Sequence, residues 1–242
     1  MREDQVIIEA FTDLSPRYEQ VVDGELKRFW GWSYESFIDT LISLSDVRSE
    51  DVVLDVATGT GVIPLRLFQK GKSGGKIIGL DITQAMLLRA QAKLRSHQAP
   101  LPVELTCASA MTMPYKNGYF DAVLCGLATH HLDVPQVLAE MQRVLKPGGR
   151  LNIADVGGSA SWRLPVVNSL IRLATFAYFL PKEGYARAKS EANALFNVLS
   201  GEEWKEELER QGFEAISITN LPTSHTWFPT PLVIRACKPA LA

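Results

Sequence analysis

Between Val52 and Val156, short apolar segments alternate with segments of helical periodicity. The apolar segments are rich in Val, Ile and Leu and read VVLDVA, KIIGLD, PVELTC, FDAVLCGL and RLNIADV. Helical spacing of apolar residues follows at Val62 to Lys70, Ala85 to Arg95 and Val134 to Leu145. This alternation favours βαβ units, and therefore an α/β fold with a parallel sheet covered on both faces.

The flanking segments extend this core without a linker or repeat. Residues 25–44 predict an aromatic-rich helical lid before the sheet, and 159–198 predict a helical cover after strand five, broken into two pieces at Pro181. A helix at 201–211 and the strands FEAISI and TPLVIRAC follow. We expect one domain over 1–242, divided into a lid (1–48), a core (49–158), a substrate cover (159–200) and a final helix with two strands (201–242).

Charge and composition limit the partners that such a chain would take. The formal net charge is −2, which provides no positive field for a phosphate backbone, so we expect no nucleic-acid partner. The most apolar stretch, 162–180, is interrupted by Arg163, Pro165 and Arg172, which argues against a membrane span. Three scattered cysteines favour neither a disulfide framework nor a metal site, and we expect a cytoplasmic protein without a metal.

A glycine-rich turn ends the first strand in the sequence VLDVATGTG. Gly59 and Gly61 would let the backbone approach a ligand, although glycines end many strands for steric reasons alone. Asp81 ends the next strand, where a carboxylate can accept hydrogen bonds from ribose hydroxyls. Pro64 occupies the third glycine position of the dinucleotide fingerprint, and Asp55 would repel a pyrophosphate. Both features disfavour an NAD-dependent oxidoreductase, whereas Asp55 would attract the cationic sulfonium and ammonium of S-adenosylmethionine (SAM).

Four segments in order resemble the successive motifs of the class I SAM-dependent methyltransferases: VLDVATGTG, GLDIT, CASAMTMPYKNGYFDAVLC and RVLKPGGRL. Within that class the chain resembles the branch of the ubiquinone/menaquinone biosynthesis C-methyltransferases, which carry the methyltransferase type 11 domain. The resemblance spans about 11–156. It implies SAM as cofactor and a Rossmann-like sheet of seven strands, mostly parallel with an antiparallel last strand, with N-terminal helices and a helical insertion after strand five.

The resemblance also implies which residues hold SAM. The methionine part would contact Asp55, Ala57, Gly59 and Gly61, and the ribose would contact Asp81. The adenine would be flanked by Ile82 and Met86, and its edge would meet Ser109 and Ala110, with Ser109 replacing the usual Asp or Asn. Two further expected contacts are Tyr18, near the methyl end, and Leu127, after strand four; Glu19 replaces the Asp that usually follows the tyrosine.

A pair of histidines follows strand four, at the edge of the sheet where the cofactor is expected. Histidine titrates near neutral pH and could take a proton from a phenol, enol or amine, so His131, and with less weight His130, is a candidate base. Packing and loop capping are the alternative roles. Glu140 and Asp155 are weaker acidic candidates, and His225 has no assigned role.

The apolar composition of the predicted cover (159–200) indicates the class of methyl acceptor. Its apolar residues could surround an aromatic or isoprenoid compound or could belong to the core: Trp162, Leu164, Val166, Leu170, Leu173, Phe176, Tyr178, Phe179 and Phe196. We therefore expect C- or O-methylation of a small lipophilic or aromatic molecule, with peripheral membrane contact for such a substrate and a monomer or homodimer. The alternative is a SAM-binding protein with a non-methylating or structural role. A nucleic-acid methyltransferase is disfavoured because Gly-Leu-Ala-Thr stands where Asn/Asp-Pro-Pro-Tyr/Phe would be expected.

Overall fold

The computed structural model describes residues 3–72, 75–97, 103–224 and 229–240. Its seven strands form one sheet in the order β3-β2-β1-β4-β5-β7-β6. The strands are β1 (Val53–Val56), β2 (Ile77–Asp81), β3 (Val103–Cys107), β4 (Phe120–Gly126), β5 (Leu145–Val156), β6 (Glu214–Asn220) and β7 (Pro231–Cys237). Neighbouring strands from β3 to β5 pair in parallel, and β7 is antiparallel to both β5 and β6. The predicted sheet is therefore confirmed, including its antiparallel last strand.

Eight α-helices surround the sheet in the described part of the chain. They are α1 (Glu3–Leu14), α2 (Tyr18–Trp30), α3 (Tyr34–Leu44), α4 (Val62–Gln69), α5 (Gln84–Ser96), α6 (Val134–Val144), α7 (Pro165–Ala194) and α8 (Gly201–Arg210). The predicted N-terminal helical region is divided at Gly31, whose left-handed backbone (φ 79°) ends α2. Helix α1 lies upstream of the segment for which helical spacing was predicted.

Apolar side chains fill both sides of the sheet. Leu138 and Met141 of α6 and Trp204 of α8 pack on one face, together with Leu54 of β1. Residues of α2, α3 and α4 pack on the other face, against a cluster that contains Val53. Strands β1 and β2 are buried at every position, as expected of parallel strands covered on both sides. The result is a three-layer arrangement whose strand ends are left free to carry the site.

The cover after β5 is a short 3₁₀ turn (Ala160–Arg163) followed by the thirty-residue α7. The predicted break at Pro181 is wrong in position: Pro181 lies within the helix, and the backbone leaves helical geometry at Gly184 (φ 80°, ψ 179°). Glycine can adopt this positive φ without a Cβ clash, so the chain bends there. Helix α1 packs against α7, and no helix of the described residues is long and apolar enough to cross a bilayer.

Candidate active site

A cavity of about 630 Å³ opens where β1, β2 and β4 end. Its floor comes from the loops after these strands, and its walls come from α1 and from the C-terminal end of α7. Most of the sequence-predicted site residues line it: Tyr18, Ala57, Gly59, Asp81, Ile82, Met86, Ser109, Ala110, Leu127 and His131. Asp55, Gly61 and His130 are not among the lining residues.

Asp81 joins the glycine-rich loop to the end of β2. Its carboxylate accepts a hydrogen bond from the backbone N–H of Gly59 at 2.9 Å and another from that of Thr83 at 2.8 Å. Burial raises the pKa of Asp81, and the two backbone donors oppose that rise. A carboxylate has about four lone-pair sites, so acceptor capacity remains for hydroxyl groups in the cavity.

Asp55 is a buried carboxylate without a charged partner. It is fully buried, and neither of its oxygens accepts a hydrogen bond of good geometry from any described residue. Burial raises its pKa to about 8; the nearby Thr58 hydroxyl opposes that rise, and the charge of Asp81 adds to it. An unsatisfied buried acid is costly, and a cation bound nearby would offset that cost. This orphaned carboxyl beside the loop therefore fits a cationic ligand.

Gly61 serves the packing of helices rather than the cavity. It is the N-cap of α4 with a left-handed backbone (φ 76°), and a Cβ there would lie 2.9 Å from the Cβ of Ala90 in α5. A side chain at this position would push α4 and α5 apart. The steric role considered for glycines in this turn therefore has direct support at Gly61, and the contact of Gly61 with SAM stays a prediction.

Two non-glycine residues in the cavity wall have left-handed backbones. Ala57 follows β1 and Leu127 follows β4, and each has φ 55°. Such a backbone is unfavourable for a residue with a Cβ, and residues of this kind cluster at ligand-binding sites. Both turn the chain at the edge of the sheet where the cavity opens.

Tyr18 and Glu19 bring α2 to the glycine-rich loop. The Tyr18 ring lines the cavity and meets the ring of Tyr34 edge-on, with centroids 6.1 Å apart. Burial raises the pKa of the Tyr18 phenol, so this phenol stays neutral. The Glu19 carboxylate accepts a hydrogen bond from the Thr60 hydroxyl at 2.7 Å and pairs with Lys93 of α5. Glu19 thus connects α2 to the glycine-rich loop and to α5.

The two histidines occupy different environments. His130 donates from Nδ1 to the buried Asp155 carboxylate at 2.6 Å, and Asp155 also accepts from the Thr129 hydroxyl and the Val156 backbone N–H. Burial lowers the pKa of His130, but Asp155 outweighs it and the net pKa is raised. His130 therefore lies behind the cavity as the partner of Asp155.

His131 lines the cavity and contacts α1 and α7. Its ring packs edge-on against Phe11, with centroids 5.1 Å apart, and its Nδ1 lies 3.3 Å from the Ser190 hydroxyl. Its Nε2 lies 3.3 Å from Oε1 of Glu191. Burial, followed by the charge of His130, lowers its pKa, so the ring is neutral at neutral pH.

A buried chain of charged groups extends from His131 through Glu191 to Arg187 in α7. It was not predicted from the sequence. Arg187 lies 2.9 Å from Glu191 and 3.8 Å from Glu25 of α2. Burial opposes the charge of Glu191, but Arg187 and then His131 outweigh it and hold the pKa of Glu191 well below its ordinary value. Burial raises the pKa of Glu25 to about 7. The i,i+4 spacing of Arg187 and Glu191 was the only signal in the sequence, and it occurs on many exposed helices.

One cluster in the described residues has the composition of a metal site. Single ligand atoms of His130, His131 and Glu191 lie within 4.8 Å of one another. However, Asp155 already binds Nδ1 of His130, and the Arg187 guanidinium lies 2.9 Å from Glu191. A cation is thus already present beside the carboxylate, so the absence of a metal stays the prediction.

The cover contributes two amides and one aromatic ring to the cavity lining. Asn193 lies at the end of α7, and Phe196 and Asn197 lie in the turn after it. Arg172 donates to Oδ1 of Asn193 at 3.2 Å, which leaves the amide N–H groups of Asn193 free to donate elsewhere. Of the apolar cover residues named from the sequence, Phe196 alone lines the cavity, while the four aliphatic ones are exposed: Leu164, Val166, Leu170 and Leu173.

The remaining acidic candidate, Glu140, lies away from the cavity. It accepts a hydrogen bond from the Met113 backbone N–H at 2.6 Å and pairs with Arg143. Its role is to hold the loop before β4 against α6. His225 lies outside the described residues.

Known proteins resemble this chain in sequence and in fold. A family model for a methyltransferase domain matches residues 54–153. A demethylmenaquinone methyltransferase from Lactobacillus johnsonii is 30% identical over 223 residues, covering 88% of this chain and 86% of that protein. A 2-phytyl-1,4-naphtoquinone methyltransferase from Synechococcus elongatus is 31% identical over 150 residues, covering 60% of this chain and 61% of that protein. The crystal structure of a SAM dependent methyltransferase from Aquifex aeolicus shares the fold, with TM-score 0.62 and 18% identity over 92% of this chain and 97% of that one.

Proposed function

Because this chain belongs to the class I SAM-dependent methyltransferases, we propose that it methylates a small lipophilic acceptor of the quinol type. The observation that carries the proposal is the cavity at the strand ends, which joins the Asp81 loop to a neutral histidine and a pair of amides. The names of the two relatives, which refer to naphthoquinones with apolar tails, support an acceptor of this chemical class.

The cofactor would lie along the floor of the cavity. SAM supplies a methyl group bound to a positively charged sulfur. Asp81 would accept from the ribose hydroxyls with the lone pairs that Gly59 and Thr83 leave free. Ile82 and Met86 would pack on the adenine, and Ser109 and Ala110 would meet its edge. Asp55 would supply negative charge from behind the loop, where its unpartnered carboxyl favours a bound cation.

The acceptor would enter between α1 and the end of α7. Phe11, Leu132 and Phe196 offer apolar surface there, and the free N–H groups of Asn193 could donate to a ring oxygen. Holding the reacting carbon or oxygen in line with the methyl group accounts for much of the catalysis in such reactions. A cavity walled by Phe11 and Phe196 would also limit access of water.

His131 is the proposed base for an acceptor that must lose a proton. Its lowered pKa keeps the ring neutral and able to accept that proton. The adjacent Glu191 carboxylate favours a proton on Nε2, so Nδ1, which lies 3.3 Å from the Ser190 hydroxyl, would be the basic nitrogen. His130 has less support, because its Nδ1 is bound to Asp155 and its ring is absent from the cavity wall.

Both carbon and oxygen acceptors remain within the proposal. A quinol offers a nucleophilic hydroxyl and, after loss of that proton, a nucleophilic ring carbon beside it. Removal of a hydroxyl proton by His131 would activate either atom, and methylation at carbon would be completed by loss, as a proton, of the ring hydrogen that the methyl group replaces. Product analysis by NMR would assign the methylated atom.

The proposal also covers the cellular compartment, the class of acceptor and the oligomeric state. A reducing compartment suits the three cysteines, which are all free, and a cytoplasmic location is part of the proposal. A small-molecule acceptor suits a chain of net charge −2 better than a nucleic acid does. A monomer or homodimer is proposed.

The test combines binding with turnover. S-adenosylhomocysteine should bind in a calorimetric titration while NAD in a parallel titration should not, and Asp81→Ala should weaken S-adenosylhomocysteine binding while circular dichroism stays unchanged. Methyl transfer from SAM to a short-chain reduced naphthoquinone should then be detected by mass spectrometry. Binding without transfer to any quinol, phenol or isoprenoid would favour the non-methylating alternative. Unchanged affinity in Asp81→Ala would reject the assignment of the ribose to that carboxylate.

A further inference from the structure

We infer that a second cavity beside His131 binds a carboxylate carried by the methyl acceptor, an inference that rests on the proposed function. The cavity has a volume of about 210 Å³, lies between α1 and the C-terminal end of α7, and is called here the side pocket. Its polar lining consists of His131, Lys189, Ser190, Asn193 and Asn197.

The side pocket adjoins the larger cavity in which the cofactor is proposed to lie. Four residues line both cavities: Ile7, His131, Asn193 and Asn197. Nδ1 of His131, the proposed basic nitrogen, lies 3.3 Å from the hydroxyl of Ser190, which lines the side pocket and not the larger cavity. An acceptor hydroxyl that gives its proton to Nδ1 would therefore lie where the two cavities meet, and a substituent of the acceptor can extend into the side pocket.

Hydrogen-bond donors without a partner in the described part of the chain collect in the side pocket. Lys189 forms no ion pair with a described carboxylate, and its ammonium lies 5.9 Å from the centre of the Tyr185 ring. Asn193 accepts from Arg172 with Oδ1, which leaves its N–H groups free, and the side chain of Asn197 makes no hydrogen bond with a described residue. One turn of helix separates residues 189 and 193, so their side chains lie on the same side of α7.

The charge of the side pocket favours an anion. Among its described lining residues, Lys189 is the only one with a full charge at neutral pH, because the lowered pKa of His131 keeps that ring neutral. Glu191, two residues further along α7, is paired with the buried Arg187 at 2.9 Å and so does not serve as the partner of Lys189. A carboxylate has acceptor sites for an ammonium and two amides at once, and a charged acceptor makes the stronger hydrogen bonds.

The opposite wall indicates that the carboxylate belongs to a larger apolar molecule. Val6 and Ile7 of α1 form that wall, and Ile7 continues into the larger cavity. A free inorganic anion would lose hydration against these two side chains without gaining a hydrogen bond from them. An aromatic ring can instead contact them and direct an acidic substituent toward the donors. The ligand class is therefore a phenol or quinol that carries a carboxylate.

The test compares 1-naphthol with its 2-, 3- and 4-carboxylates in calorimetric titrations of the protein loaded with S-adenosylhomocysteine, near neutral pH. At least one carboxylate should bind about tenfold more tightly than 1-naphthol, because it gains charge-assisted hydrogen bonds. Lys189→Met should remove this advantage and leave the affinity for 1-naphthol unchanged. The matched control is Lys182→Met, which changes another lysine of α7 that lines neither cavity and should keep the advantage.

The outcomes separate this inference from misfolding and from failure of the proposed function. Affinity for S-adenosylhomocysteine should be unchanged in Lys189→Met, which shows that the fold is intact. Methyl transfer to a reduced naphthoquinone, with no carboxylate that binds more tightly than 1-naphthol, would overturn the inference and leave the proposed function standing. An equal loss of affinity for 1-naphthol and its carboxylates in Lys189→Met would also overturn it, since Lys189 would then shape the pocket and not pair with an anion. No binding of any of the four compounds would reject the quinol-type acceptor, and this inference with it.

Discussion

Nε2 of His131 lies 3.3 Å from Oε1 of Glu191, which joins the loop after β4 to the cover helix α7. The contact brings the proposed base, from the core, next to a carboxylate from the insertion, sixty residues further along the chain. Glu191 in turn pairs with Arg187. The charge state of this chain of groups therefore links the proposed base to the packing of α7.

Replacement of His131 by Asn should lower kcat while leaving affinity for S-adenosylhomocysteine unchanged. The loss should be about 10²- to 10⁴-fold, the range typical of general bases. In the wild type, kcat should fall as pH decreases through a pKa below the ordinary histidine value, because protonation removes the base. The variant should lose this dependence. The control is His97→Asn, which changes an exposed histidine at the end of α5. Full activity in His131→Asn would show that His131 packs in the site and is not the base.

SAM binding should release a proton through Asp55. With a pKa of about 8, Asp55 is mostly protonated at pH 7 in the free protein, and a nearby cation would lower that pKa. Affinity for SAM should therefore rise with pH, by roughly tenfold per unit below pH 7. Calorimetry in buffers of different ionisation enthalpy measures the released proton. Asp55→Asn should bind SAM with no proton release, and an equal release from this variant would assign the proton to another group.

Replacement of Arg187 by Met should destabilise the fold by about 3 to 5 kcal/mol, because it leaves buried Glu191 and Glu25 without their cation. The measurement is the free energy of unfolding in urea. Lys27→Met is the matched control, since Lys27 forms an ion pair with Asp23 on the surface at 2.6 Å and its loss should cost about 0 to 1 kcal/mol. Adding Glu191→Leu to Arg187→Met should restore part of the lost stability; a further loss would mean that packing of Arg187, and not its charge, is what matters.

Removal of divalent metals should leave turnover unchanged. The three groups that could bind an ion, His130, His131 and Glu191, already have Asp155 and Arg187 as charged neighbours. Methyl transfer should therefore be equal before and after treatment with a chelator, and elemental analysis should find no stoichiometric zinc. Loss of activity that zinc restores would identify this cluster as a metal site.

The fold and most of the cavity floor could be predicted from sequence because they depend on local signals. Apolar strands alternate with segments of helical spacing, and a glycine-rich turn follows the first strand. Asp81 is the last residue of β2, so the strand itself positions its carboxylate at the edge of the sheet. The bend of α7 was misplaced because proline signals a helix break from sequence alone, whereas Gly184 bends the chain only in its tertiary context.

The cover and its charges could not be predicted in the same way. Arg187 meets Glu25 of α2 across 162 residues of sequence, and such a pairing leaves no periodic trace. The aliphatic residues of α7 were expected around the acceptor or in the core because hydrophobicity alone does not tell an outward face from an inward one. Leu170 and Leu173 have the spacing of a buried helix face and are exposed.

The position of β7 has a consequence for how the chain is made. β7 is the last strand in sequence but lies between β5 and β6. During synthesis on the ribosome, β6 therefore has no neighbour in the sheet, and β5 keeps an open edge, until residues 231–237 have left the exit tunnel. Open strand edges invite pairing with other chains. A nascent chain held on the ribosome with β7 still inside the tunnel should thus depend more on chaperones than one in which residues 231–237 have emerged.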